Sequence, residues 1–170
     1  MNRHPGGEEH TRHMLERAAL PAGARILDLG AGAGESVALM RALGYDAAGL
    51  DLKPRSDIVQ RGDLLHTGYP DGSFDGILSQ CAFYLSGDVP GAFRESFRLL
   101  KNGGALMFSD VCFEDPVPIA ETAGFRVECT EDLTPLWREY YLEAIWRGTA
   151  ACCGIRGKCQ YRLLICRKEG

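Results

Sequence analysis

Long apolar runs are missing from this 170-residue chain, and with them any stretch of the roughly 20 residues that a membrane-spanning helix needs. A basic excess is missing too. Nineteen Lys and Arg face 23 Asp and Glu, a net charge of −4, so there is no positive field to draw nucleic acid. A small molecule is the expected partner, with neither membrane nor nucleic acid. The opening Met1-Asn2-Arg3-His4-Pro5-Gly6-Gly7 lacks the apolar segment of a secretory signal. Histidine is scarce: His4, His10 and His13 lie near the start, and only His66 sits in the body. No two cysteines stand in C-x-x-C spacing, so no metal is expected. The seven cysteines are an odd number scattered over predicted strands and one late loop, which reads as a reduced, cytoplasmic protein. Repeats and low-complexity tracts are absent, and 170 residues suffice for one domain, with residues 1–20 as an N-terminal arm and helix.

What is present is a regular alternation. Met14, Leu15, Ala18 and Ala19 recur at helical spacing over residues 10–20, before Pro21-Ala22-Gly23. Short apolar strands are predicted over 25–29, 47–50, 57–60, 74–79 and 105–109. Helices are predicted over 35–43 and 90–100, and Asn102-Gly103-Gly104 turns the chain into the fifth strand. A short connection with two prolines leads to a strand from Phe125 to about Cys129. Leu133, Leu136, Trp137, Tyr140, Tyr141, Ala144 and Ile145 then form one apolar stripe on a long helix, with Trp146 off its centre. A last strand covers 160–168. This β-α-β-α order argues an α/β fold, a doubly wound sheet covered on both faces.

The most specific stretch is Asp28-Leu29-Gly30-Ala31-Gly32-Ala33-Gly34, closing the first strand and opening a helix. Glycines there let a ligand approach the backbone closely. A helix N-terminus favours a pyrophosphate, but Asp28 and Glu35 put negative charge on both sides of the loop, and Glu35 stands where a dinucleotide fingerprint needs its third glycine. A cationic ligand suits that field, and S-adenosylmethionine carries both a sulfonium and an ammonium.

From about Pro5 to Lys168 the chain resembles the class I S-adenosylmethionine-dependent methyltransferases of the type 11 group. Asp28, Gly30, Gly32 and Gly34 match the first motif, Asp51 in Gly49-Leu50-Asp51-Leu52 the acid ending strand two, and Gly62-Asp63-Leu64 the motif after strand three. Ser73-Phe74-Asp75 leads into strand four, and Leu100-Lys101-Asn102-Gly103-Gly104 matches the next turn, with Asn102 in place of proline. The resemblance implies a Rossmann-like, mostly parallel seven-stranded sheet with an antiparallel C-terminal strand. It also implies cofactor roles. The Gly30–Gly34 loop would lie under the methionine part, with Asp28 drawing the ammonium. Asp51 would accept both ribose hydroxyls, and Asp63 would accept from the adenine amino group between Leu52 and Leu64. Gln80 would border the methionine moiety.

The acceptor side is less defined. Methyl transfer from a sulfonium needs positioning more than a triad, and no triad is visible. His66 reads either as a general base or as an exposed loop histidine. Ser79-Gln80-Cys81-Ala82-Phe83-Tyr84-Leu85-Ser86 resembles a stretch of arsenite methyltransferases, as do Ala92-Phe93-Arg94-Glu95 and Phe108-Ser109-Asp110-Val111. There the cysteine binds trivalent arsenic as a thiolate; the other reading of Cys81 is a small buried residue at a strand end. Residues 111–123 are too short for the insert that usually carries a further metalloid cysteine, and Cys112 is the nearest substitute. Cys152, Cys153 and Cys159 with Arg156 and Lys158 read as reactive thiols or as a plain glycine-rich turn. Pro5-Gly6-Gly7 resembles an N-terminal element of some small bacterial methyltransferases, either a cover for the cofactor or a flexible tail. The absence of a long insertion after strand five points to an open-access acceptor, for which a homodimer would supply walls. Two other classes stay open, a non-catalytic cofactor-binding module and a nicotinamide-dependent oxidoreductase.

Overall fold

The computed structural model describes residues 4–148 and 158–170. Helix α1 (Gly7–Ala18) begins three residues before the predicted start, because Glu8 and Glu9 suit the positive end of its dipole. It stops at Ala18, where the N–H of Ala19 (φ 48°) turns back to the carbonyls of Leu15 and Glu16. Then come β1 (Arg25–Leu29), α2 (Glu35–Ala42), β2 (Asp46–Asp51), β3 (Val59–Arg61) and β4 (Phe74–Gln80). Helix α3 (Val89–Leu99) is capped by Asp88, whose carboxylate accepts from the Gly91 N–H at 2.8 Å. Strand β5 (Leu100–Cys112), α4 (Pro116–Thr122), β6 (Phe125–Asp132), α5 (Thr134–Trp146) and β7 (Gln160–Lys168) complete the order.

Three expectations need correction. The two-proline connection is a helix, α4: Pro116 and Pro118 fall in its first turn, where an N–H is not needed, and Asp115 caps it by accepting from Val117. The Asn102-Gly103-Gly104 turn does not precede β5 but bulges within it, since Phe74 pairs with Leu100 and Gly76 already with Ala105. The third strand starts at Val59, two residues late.

The seven strands lie in the order β3-β2-β1-β4-β5-β7-β6. Pairs among β1 to β5 are parallel, and β7 runs antiparallel to both β5 and β6. This is the expected doubly wound, mostly parallel sheet with its antiparallel C-terminal strand. Both faces are covered, so successive strand residues are apolar rather than alternating. Leu27, Leu29, Ile77, Phe108 and Leu164 pack under α3 and α4. Their neighbours Ile26, Leu78, Met107, Leu163 and Ile165 pack under α1 and α2. On the first face Phe83, Phe93 and Phe108 meet at ring-centroid distances of 5.1–5.3 Å. Helix α5 departs from its predicted stripe: Ala144 is buried and Trp137, Tyr140 and Tyr141 are half-buried, while Leu136 and Ile145 face solvent. Trp146 is 88% exposed. No helix among the described residues is long and apolar enough to cross a membrane.

Candidate active site

Strand order reverses between β1, which crosses over to β2 on one side, and β4 on the other. The carboxyl ends of parallel strands at such a switch point frame a crevice. Here that edge also receives the first residues of antiparallel β7, so Asp28, Asp51, Cys81, Asp110 and Tyr161 share one rim.

On the β1–β3 side the glycine loop is pinned from beneath. The N–H groups of Gly30 and Ala31 both donate to the Leu50 carbonyl, at 2.8 and 3.1 Å. A Cβ on Gly30 (φ +85°) would lie 2.3 Å from the Cβ of Ala82, so only glycine closes the crevice between β1 and β4. Asp51 is turned onto this loop, accepting from the Gly32 N–H and from the Lys53 N–H, each at 2.8 Å. The Arg55 N–H and the Ser56 hydroxyl fasten the next segment to the carbonyls of Gly32 and Ala33. Asp28 is 4% exposed, and among the described residues nothing donates a hydrogen bond to it. Burial first, and the Asp51 charge second, push its carboxyl up to about 7. A buried acid without donors beside a second acid is offset by a proton or by a cationic ligand.

Asp63 forms a tight turn, accepting from the Leu65 N–H at 2.9 Å and bridging to His66. Leu64 is buried beneath it, and Leu52, 59% exposed, stands beside Asp51 as an open apolar surface. His66 is exposed on this turn, at the β3 edge of the sheet. Gln80 is buried, its Oε1 accepting from the hydroxyls of Thr11 (3.2 Å) and Ser36 (3.0 Å). It ties α1 and α2 to the end of β4.

The β4–β7 side holds groups that sequence reasoning missed. Cys81 adopts a left-handed φ of 57°, uncommon for a side chain with a Cβ, and its N–H donates to the Ser109 carbonyl at 2.9 Å. Its Sγ lies 3.3 Å from Tyr161 Oη, Tyr161 Oη donates to Ser109 Oγ at 3.2 Å, and Ser109 Oγ meets His10 Nε2 at 3.0 Å. Burial, aided by the neighbouring His4 and His13, lowers His10 to about 4, so it is neutral. Asp110 holds the segment after Cys81, accepting from the N–H of Tyr84, and burial raises it to about 6. Tyr140 of α5 is raised by burial first and then by the charges of Cys81 and Glu35. His4 stands 6.3 Å from His10, ring to ring, and Pro5 is buried. The Pro5-Gly6-Gly7 element is therefore packed, with Gly6 between His10 and Leu136. Cys112 is pushed up to about 12, chiefly by burial, and its Sγ points to the Asp110 carbonyl. Cys152 and Cys153 lie outside the described residues, and among those described no group of three or more His, Cys, Asp or Glu side chains could hold a metal ion.

Residues 27–108 match the protein family described as methyltransferase domain. The chain carries a type 11 methyltransferase domain. It is 32% identical over 146 residues to phosphoethanolamine N-methyltransferase 1 of Arabidopsis thaliana, covering 75% of this chain and 29% of that enzyme. A shorter match, 53% over 49 residues, covers 29% of the chain and 14% of an arsenite methyltransferase from Aquipseudomonas alcaligenes. The chain thus spans less than a third of either relative's length. Among solved structures it is similar to phosphoethanolamine N-methyltransferase 2 of Haemonchus contortus, solved with S-adenosyl-L-methionine. That likeness has a TM-score of 0.79 and 18% identity, over 98% of this chain and 54% of that one. S-adenosylmethionine is the methyl donor of this family, and the rim fits it: Asp28 lacks a positive partner, and the crevice beside it closes only around glycine.

Proposed function

We propose that this domain transfers the methyl group of S-adenosylmethionine to a small acceptor reaching the rim between Cys81 and Tyr140. The donorless Asp28 carboxylate beside Asp51 carries this reading, because a cationic ligand offsets both charges when the two acids are ionised. Asp28 and the Gly30, Gly32 and Gly34 loop would hold the methionine part, with Gln80 behind it fixing α1 and α2. Asp51 would hold the ribose, and Asp63, Leu52 and Leu64 the adenine. Bound there, the donor supplies an electrophilic methyl: the acceptor's lone pair forms the new bond as the carbon–sulfur bond breaks, leaving a neutral thioether. The chain's own residues orient the two partners and exclude water. The same acidic lining disfavours a nicotinamide pyrophosphate. Titration calorimetry with S-adenosylmethionine tests the first half; the absence of binding at high micromolar donor would overturn it. Tight binding without turnover of any acceptor would leave a non-catalytic binding module.

One observation favours a soft acceptor. Cys81 is half-buried at the rim in a left-handed conformation, and a 49-residue stretch of the chain is 53% identical to part of an arsenite methyltransferase. We propose trivalent arsenic held by the Cys81 sulfur as that acceptor. Incubation with donor, glutathione and arsenite should release methylated arsenic, and Cys81→Ser should abolish it; full activity in that variant would remove this acceptor. Phosphoethanolamine is the comparison acceptor in the same assay.

A further inference from the structure

Residues 62–73 carry the chain from β3 to β4 with neither helix nor strand between them. Asp63 and Leu64 head this segment, and a connection without a helix has no hydrogen-bond ladder of its own to fix it. Beyond the Asp63–His66 turn, its polar ties run mostly to one i,i+3 pair on α3. Glu95 Oε1 accepts from the Thr67 N–H at 3.1 Å and from the Thr67 hydroxyl at 2.7 Å. Arg98 grips the same carboxylate with Nε and Nη2, at 2.8 and 2.7 Å. Its Nη1 donates to the Tyr69 carbonyl at 2.7 Å and to Asp71 at 2.6 Å, and its own carbonyl accepts from the Gly72 N–H at 3.0 Å. Burial pushes the Glu95 carboxyl up, but the hydrogen bonds from Arg98 and Thr67 outweigh it and hold the group at about 2. Ionised at neutral pH, it can only accept, so every donor around it is fixed.

Asp63 uses one oxygen, Oδ1, for the Leu65 N–H at 2.9 Å. Its Oδ2 takes no hydrogen bond among the described residues, so one acceptor is left whose aim depends on where residues 63–67 are held. Leu64 and Tyr69 pack against the core under α3, and apolar contact fixes depth without fixing direction. We propose that the Glu95–Arg98 pair is a positioning device that aims Asp63 and so sets the donor site's preference for adenine over a purine with a carbonyl at C6. A held Asp63 accepts from an exocyclic amino group and meets a C6 carbonyl with lone pair against lone pair. A released one can shift to the ring N1–H that such a base offers instead, so it tells the two apart less well. Glu95 and Arg98 act only through this loop, so both are positioning residues. The inference rests on the reading of Asp63 as the adenine acceptor.

The test is calorimetric titration of the whole chain with S-adenosylhomocysteine and with S-inosylhomocysteine, its counterpart with a C6 carbonyl. The parent should favour the adenosyl ligand about thirtyfold, the equivalent of one hydrogen bond to a charged group. In Glu95→Gln the charge that gathers Arg98 and Thr67 is gone, and the preference should fall to about fivefold. That fall should come from weaker adenosyl binding, with inosyl affinity within about twofold of the parent. Thr67→Val removes only the hydroxyl tie and should leave a preference of about tenfold. It serves if Glu95→Gln does not fold, with circular dichroism as the check. A loop that merely weakened the site would lower both affinities alike. That outcome, or a preference within about twofold of the parent's in a folded variant, would overturn the role of the pair and leave the donor reading standing. A parent that binds neither ligand would remove the donor reading and this inference with it, and one that binds both equally would take Asp63 away from the adenine.

Discussion

At the donor end of the rim, apart from Gln80, which reaches Thr11 across 69 positions and Ser36 across 44, hydrogen bonds join near neighbours: Gly32 to Asp51 across 19 positions, and Asp51 to Lys53 and Asp63 to Leu65 across two. At the acceptor end they join strangers. His10 reaches Ser109 across 99 positions, Cys81 reaches Tyr161 across 80, and Tyr161 reaches Ser109 across 52. A site built within one β-α-β unit leaves a motif in the sequence. A site assembled from four elements leaves single residues that look unremarkable until the sheet brings them together.

That difference can be attacked first where the two ends touch. Gly30 closes against Ala82, directly after Cys81, so Gly30→Ala places a Cβ 2.3 Å from its neighbour at a φ of +85°. The left-handed backbone costs about 1–2 kcal/mol, and the overlap adds about 1–3 kcal/mol. Thermal unfolding should show the summed loss, and calorimetry should show donor binding abolished. Unchanged stability would mean the crevice is wider than described. At the donor end alone, Asp51→Ala should weaken S-adenosylmethionine binding by about 1–3 kcal/mol with little change in the acceptor-side thiol. Equal affinity in parent and variant would remove Asp51 from the ribose contact.

Legibility followed the same boundary. The glycine loop, Asp51, Asp63 and all seven strands stood out because period, turn chemistry and motif coincide over short stretches. Helix α4 was missed because two prolines read as a break, and only the Asp115 cap shows them as a first turn. His10 was assigned to an arm; its position immediately before Thr11-x-x-Met14 gave no sign that it would be buried against β5. Tyr161 carried one usable signal, an aromatic hydroxyl near the start of a strand whose centre, Leu163 to Cys166, is apolar on both faces. Leu136 and Ile145 matched a helical stripe yet face solvent, since a period fixes a face without fixing what covers it.

Acid separates the two ends in opposite senses. Asp28 is raised from 3.8 to about 7, so the ligand-free fold is favoured by its neutral form below about 4 and loses that contribution as pH rises through about 7. A bound cation prefers the carboxylate. Donor affinity should therefore fall about tenfold per pH unit below about 7, and Asp28→Asn should flatten the profile. His10 is lowered from 6.5 to about 4, so its share of stability is present above 6.5 and is lost as pH falls toward 4. Urea titrations of the parent and His10→Leu over that range would show it as a slope that the variant lacks; parallel curves would count against a buried neutral imidazole.

The smallest effect is expected from the histidine that looked most available. His66 is exposed, and its main chain is committed to the turn with Asp63 at the β3 edge. In strand order β2, β1 and β4 separate it from β5 and the buried His10 network. A base must come within hydrogen-bond reach of the proton it removes, and His66 stands on the adenine side of the proposed donor, away from its methyl. His66→Ala should change stability by less than about 0.5 kcal/mol, as for a surface position. Its kcat for any acceptor should stay within about twofold, against a tenfold loss or more for a residue acting as general base. A fall of that size, with unchanged KM for the donor, would place proton transfer at the β3 edge and erase the division between the two ends.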